Sequence, residues 1–300
     1  MTASKDDLRT CLINALGDNV EDADEGKATR YGRVGPSLTC SLLEIFSLFS
    51  QLIPSQNLGF VDSAATSVHV DVAGHEYELI QSPGLLNAAR KGGTTGAVLW
   101  KVSPAVARWL LSKKNVLWVA GVLHQQANVV ELGCGIAGII GICLHCVVGT
   151  YILTDQEYVL KRLQVNIDAN ITIASREASH QRGRLKVAAL DWEADSASNL
   201  RIPVGKDAFI DLVIACDCIY NDFLIRPFVE TCVEVCKLSE GGRSLLLVAQ
   251  QLRSDDVLSQ WLRTSMQYFD VWRLPDEQLS SELASGSGFV VHLLLLRNDC

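Results

Sequence analysis

The sequence predicts an α/β fold built on a mainly parallel sheet, with helices on both faces and an antiparallel strand pair at the C-terminal edge. Three observations carry this. From Val129 onward, strand-like segments alternate with segments of helical periodicity, the pattern that calls for crossover connections between parallel strands. An apolar strand runs directly into Gly133-Cys-Gly-Ile-Ala-Gly138 and then into a helical pattern. The last two strand-like segments, 268–274 and 289–296, have no helical pattern between them, so they pair antiparallel.

The elements follow in order. Residues 1–66 read as a helical, partly flexible extension: a short helix at 8–16, an acidic run at 18–25, and an apolar helical pattern at 38–52 ended by Pro54. Residues 67–300 form the main domain. It opens with alternating strands at 68–72 and 75–80 around Ala73-Gly74, a β-hairpin signature. A glycine-rich connector at 91–96 leads to helical spacing over 97–111, and an uncharged run at 115–130 enters the first core strand. Strands are expected at 128–132, 150–155, 185–190, 210–216 and 243–249, and helices at 138–147, 157–169, 223–238 and 255–266. The polar stretch 171–184 reads as an exposed loop.

Composition narrows the partners. In 300 residues, 26 Lys and Arg face 34 Asp and Glu, a formal charge of −8. That balance lacks the cationic footprint of a direct nucleic-acid binder and favours encounter with a basic protein. The segment 132–154 has no Asp, Glu, Lys or Arg over a bilayer-spanning length, but five glycines and His145 divide it into turn, helix and strand, so no membrane helix is expected. Ten cysteines sit mostly in apolar stretches and the first residues do not resemble a secretory signal, which predicts reduced thiols and a cytoplasmic or nuclear location. Cys143-x-x-Cys146 and Cys232-x-x-x-Cys236 fall on expected helices, where such spacing puts thiols on one buried face, so no metal is expected. The chain is expected to be a monomer.

The sharpest motif is Val129-Val-Glu-Leu-Gly-Cys-Gly-Ile-Ala-Gly138. Glycines let the backbone turn tightly and approach a ligand closely, and Asp155, twenty residues after Gly135 at the end of the next strand, is placed to accept hydrogen bonds from ribose hydroxyls. Nicotinamide enzymes and methyltransferases both use such a pair, so the motif alone leaves the cofactor open.

Glu131-Leu-Gly-Cys-Gly135 resembles the first motif of seven-strand S-adenosylmethionine-dependent methyltransferases, whose sheet is Rossmann-like. Gly96-Ala-Val-Leu-Trp100, Asp191-Trp192 and Ala215-Cys-Asp-Cys-Ile-Tyr220 are similar to the family-sixteen protein lysine methyltransferases, with Asp217-x-x-Tyr220 fitting their acidic-x-x-aromatic signature. The resemblance covers about residues 68–297. It is strongest to fungal enzymes that methylate a lysine of a large-subunit ribosomal protein. It implies S-adenosyl-L-methionine as cofactor, with Gly133, Cys134 and Gly135 along its methionine part, Asp155 on its ribose and Trp192 beside its adenine. It further implies that Ala215 touches the cofactor, Trp100 closes the pocket, and Asp217 and Tyr220 are catalytic. A lysine amine, with a reference pKa of about 10.4, must lose its proton before attacking a sulfonium methyl, and a carboxylate at the sheet edge can orient it. Gln250, Gln251 and Arg253 follow the fifth strand and are expected in an exposed loop, with the border of a substrate channel as the alternative. Two rivals stand beside this reading: an NAD(P)-dependent oxidoreductase, and a non-catalytic binding or assembly factor on the same scaffold.

Overall fold

The computed structural model describes residues 5–17, 20, 36–54, 57–86, 94–174, 184–201, 209–239 and 243–298. Seven strands form the main sheet: β3 (Asn128–Leu132), β4 (Thr150–Asp155), β5 (Arg184–Ala189), β6 (Leu212–Cys216), β7 (Leu245–Gln251), β8 (Phe269–Arg273) and β9 (Phe289–Leu296). Their order is β5-β4-β3-β6-β7-β9-β8. The strands from β5 across to β7 are mutually parallel, and β9 lies antiparallel to both β7 and β8. The order reverses between β3 and β6, which opens a crevice at their carboxyl ends, where ligands of open α/β sheets bind.

The buried residues divide into two clusters, one per face of the sheet. Helices α3 (Val102–Leu111), α4 (Ile139–Leu144) and α5 (Glu157–Ala174) supply Leu110, Ile140 and Leu163 to the first. Helices α2 (Pro36–Phe49), α6 (Asp222–Lys237) and α7 (Asp255–Ser265) supply Leu48, Phe228 and Trp261 to the second. Strand β6 alternates between them: Leu212, Ile214 and Cys216 face the first cluster, Val213 and Ala215 the second. Helix α1 (Lys5–Leu16) buries Leu8 and Leu12 in the first cluster and pairs Arg9 with Asp270 on β8. Glu44 of α2 meets Arg273 on β8 and His292 on β9.

The hairpin is β1 (Ser67–Val72) with β2 (His75–Ile80), turned at Ala73 (φ 54°) and Gly74 (φ 82°), the two left-handed positions its twist requires. Its free edge is closed by side chains. Asn166 of α5 accepts from Ile80 N–H at 2.8 Å and donates to Ile80 O at 2.9 Å, and Asn170 repeats this at Glu78 (3.2 and 2.8 Å). Two amides thus stand in for a neighbouring strand. That contact explains why α5 continues to Ala174, past the expected end at 169 and into the stretch read as a loop.

Other boundaries moved for identifiable reasons. The helix expected over 97–111 starts at Val102 with Pro104 in its first turn, where a missing N–H is tolerated. Residues 98–100 lead into it outside the helix, with Phe60 and Trp100 bridged antiparallel, Val61 N–H donating to Leu99 O (3.0 Å) and Lys101 N–H to Gly59 O (2.8 Å). Strand β7 runs through Gln251, two residues beyond its expected end. Residues 18–19, 21–25, 91–93 and 175–183 of the segments anticipated above lie outside the described residues. Among those described, no helix is long and apolar enough to cross a membrane, and no group of three or more His, Cys, Asp or Glu side chains is placed to hold a metal.

Candidate functional site

The turn after β3 is held open by backbone geometry. Gly133 and Gly135 adopt φ of 65° and 64°, a region that costs an L-residue about 1–2 kcal/mol. A Cβ on Gly133 would stand 2.9 Å from Cys218 Sγ and 3.1 Å from the Trp192 ring; one on Gly135 would stand 3.1 Å from Gly96 O. Glycine here is a steric condition for the cleft. The loop amides are already committed: Cys134 N–H donates to Thr154 O (3.0 Å), Gly135 N–H to Asp155 Oδ2 (2.8 Å), Ile136 N–H to Gly96 O (2.8 Å) and Gly138 N–H to Cys134 O (3.3 Å).

Asp155 also accepts from Gln156 N–H at 2.8 Å through Oδ1. Burial pushes its carboxyl up to about 6, against the pull of the two backbone donors. Glu131, beneath the loop on β3, is buried with the Tyr151 hydroxyl donating to it at 2.7 Å; burial raises its carboxyl to about 7. Both acids are held short of full ionisation because low-dielectric surroundings disfavour charge.

The glycine turn forms the floor of a cleft whose walls come from three other segments. Trp192 lies over Gly133 on one side and packs on Phe228 at 5.0 Å between ring centroids. Opposite it, Trp100 donates its indole N–H to Thr95 O (3.0 Å) and packs against Phe60 at 4.4 Å. The Thr95 hydroxyl donates to Tyr220 Oη at 3.2 Å, which joins the strap before α3 to the loop after β6. Burial raises the Tyr220 phenol above its usual range. The charged side chains lining the cleft are Asp155, Asp191, Glu193 and Asp217; among the described residues no Lys or Arg lines it.

Asp217 departs from expectation in its surroundings. It sits at φ 58°, among the few non-glycine residues with a left-handed backbone, and its side chain is about 1% exposed. Its Oδ1 accepts from Gln250 Nε2 (2.9 Å), Gln251 N–H (3.2 Å) and Arg253 Nη1 (2.7 Å), while Oδ2 accepts from Arg253 Nη2. The carboxylate expected to await a substrate ammonium is thus occupied by a guanidinium fork. It does not cap α6 either, since Asn221 does so by accepting from Phe223 N–H at 3.1 Å.

Of the residues singled out from sequence, Trp100, Gly133, Cys134, Gly135, Asp155, Trp192, Asp217 and Tyr220 converge on this cleft. Ala215 does not. It is fully buried on the opposite face of β6, and strand alternation brings Cys216 to the cleft instead, with Cys218 following. Gln250 and Gln251 are buried strand residues rather than an exposed loop, and Arg253 is the partner of Asp217. Thr95, Cys216 and Cys218 were missed. The strand pattern carries a readable signal for Cys216, because period-two alternation in β6 puts it on the face opposite Ala215.

Comparison with known proteins gives the site a lineage. Residues 81–265 match the family model described as lysine methyltransferase. A Zygosaccharomyces rouxii protein named ribosomal lysine N-methyltransferase 5 is 31% identical over 215 residues, covering 61% of this chain and 68% of that protein. Its Candida glabrata namesake is 25% identical over 289 residues, covering 69% and 82%. A Schizosaccharomyces pombe protein named diaminohydroxyphosphoribosylamino-pyrimidine deaminase is 30% identical over 246 residues, 81% of this chain but 54% of that protein, so the chain spans about half that relative's length. The matched stretch contains the glycine turn, Asp155, Trp192 and Asp217-x-x-Tyr220, and on that match the chain belongs to the lysine methyltransferase family.

Proposed function

We propose that this protein is an S-adenosylmethionine-dependent protein-lysine N-methyltransferase acting on a basic ribosomal or translation-related protein. One observation supports it above the others: an acid-walled cleft over a glycine turn whose amides at Cys134, Gly135, Ile136 and Gly138 are already hydrogen-bonded within the chain. A dinucleotide needs such amides free for its pyrophosphate, and the carboxylates of Asp155, Asp191 and Glu193 repel it, Asp217 being paired with Arg253. A sulfonium and an ammonium are both cations and meet the opposite field. This weighs against the NAD(P)-dependent oxidoreductase, while the names of the yeast relatives favour a ribosomal substrate.

The residues fit S-adenosylmethionine on their own chemistry. The space over Gly133 and Gly135 is one that a Cβ would fill, Asp155 offers a carboxylate to ribose hydroxyls, and Trp192 offers a flat face to adenine. When bound, the cofactor supplies an electrophilic methyl on a positive sulfur. The chain's own part is positioning. Trp100 and Tyr220 present aromatic surface to a lysine side chain, and desolvation in the cleft works against the carboxylates' hold on the ammonium, favouring the neutral, nucleophilic amine. Proximity and alignment then carry most of the rate. Cytoplasmic residence, monomeric state and independence from nucleic acid belong to the same proposal.

Calorimetric titration with S-adenosylhomocysteine tests it, with NADH and NADPH as controls and Asp155→Ala as comparison. Micromolar-order S-adenosylhomocysteine binding that the variant loses, followed by labelled-methyl transfer to proteins stripped from large ribosomal subunits, supports the reading. Nicotinamide binding overturns it. Ligand binding without transfer to any basic protein favours the non-catalytic factor.

A further inference from the structure

Arg253 connects parts of the cleft that are far apart in sequence. Its guanidinium forks onto both oxygens of Asp217, its Nε and Nη2 donate to Leu58 O at 3.2 and 3.1 Å, and its Cζ lies 5.0 Å from the Trp100 ring. Leu58 is itself left-handed (φ 61°), and a Cβ on Gly59 would overlap Gln251 Oε1 and stand 2.7 Å from Arg253 Nη2. The segment around residue 59 is therefore wedged directly onto the arginine. That segment in turn pairs with 99–101, which carries Trp100. A lysine ammonium, a single point charge, does not match a planar fork already satisfying a buried carboxylate.

We propose that Arg253 is a positioning residue for the methyl-accepting wall, acting through Asp217: its fork fixes that carboxylate and the Leu58–Trp100 segment, so the incoming amine meets Tyr220 and Trp100 rather than a free carboxylate. This rests on the methyltransferase reading above.

The test uses the full chain with Arg253→Ala, Arg253→Lys, Asp217→Asn and the Arg253→Ala/Asp217→Asn double variant. Amide hydrogen exchange is followed at Val61 and Lys101, whose N–H groups close the ladder between the two segments. S-adenosylhomocysteine affinity and initial rates of methyl transfer to salt-stripped large-subunit ribosomal proteins are measured alongside. Arg253→Ala should speed exchange at both amides and slow transfer about tenfold or more while leaving S-adenosylhomocysteine affinity within about threefold. Arg253→Lys, which restores charge but not the fork, should recover only part of the rate. The double variant should be no slower than the slower single one, as expected for two residues acting as a unit. Unchanged exchange in Arg253→Ala, or rate losses that multiply in the double variant, would overturn the proposal. Should Arg253→Ala unfold, the lysine and asparagine variants carry the same comparison. Failure of the unmodified protein to bind S-adenosylhomocysteine would sink the methyltransferase reading instead, and the exchange result would still judge the clamp.

Discussion

Lowering the pH from 7 to 5 should weaken S-adenosylhomocysteine binding about tenfold, through Asp155. Burial raises this carboxyl to about 6 in the free protein. Ribose hydroxyls donating to it favour the ionised form, so binding lowers its pKa and the ligand selects the carboxylate. With a free pKa of about 6, the group is roughly nine-tenths ionised at pH 7 and one-tenth at pH 5, and the apparent dissociation constant scales as one plus the protonated-to-ionised ratio. That gives about tenfold, or ~1.4 kcal/mol, with affinity rising as pH rises. Calorimetry across pH 5 to 7, with circular dichroism at each point to verify the fold, reads the slope directly. Asp155→Asn should bind about a hundredfold more weakly at pH 7, because hydrogen bonds to a charged acceptor are worth about 1.5–3 kcal/mol each, and should lose the slope. An unmodified protein whose affinity is flat from pH 5 to 7, or an asparagine variant that keeps the slope, would refute the placement of the ribose on Asp155.

Three other outcomes follow from the same geometry. Gly135→Ala, forced to φ 64° with its Cβ 3.1 Å from Gly96 O, should lose about 1–2 kcal/mol in chemical denaturation and bind S-adenosylhomocysteine at least tenfold more weakly. Glu131, raised from 4.5 to about 7 by burial, keeps a proton in the folded state that the unfolded state gives up, so stability should fall as pH rises from about 4.5 to 7. The total is on the order of 3 kcal/mol, and Glu131→Gln should flatten that part of the melting-temperature profile. Cys134, Cys216 and Cys218 have thiols pushed well above the usual range by burial, so iodoacetamide at pH 8 should spare them until denaturant is added; alkylation in the native state would contradict their burial.

What could be read from the sequence depended on whether a feature was local. The glycine turn, Asp155 and the strand–helix alternation are each written within a few consecutive residues, and the main sheet and cofactor cleft follow them. The two-residue displacement of β7 was hidden because Gln250 and Gln251 are polar, and the groups that satisfy them when buried, Asp217, the Ile219 backbone and Arg253, are brought to them by the fold. The true start of α3 was hidden for a related reason. Apolar residues 98–100 fit helical spacing as well as a non-helical approach, and the partner that decides between them, residues 59–61, lies far away in sequence. Ala215 was misplaced by one step of strand alternation. The pairing of Arg253 with Asp217 gave no local signal, because a guanidinium's role is set by which carboxylate the fold brings to it.

The position of β9 has a consequence for how the chain is made. It lies between β7 and β8 and pairs with β7 through seven residues, Leu245↔Leu295 to Gln251↔Phe289. During synthesis β7 therefore emerges well before the strand that covers its flank, and it is buried at every position in the finished sheet. Until residues 289–296 have left the ribosome, a nascent sheet carries an open edge of the kind that pairs with other chains. Completion of the sheet waits on β9, which is translated only after β7, α7 and β8 have been made.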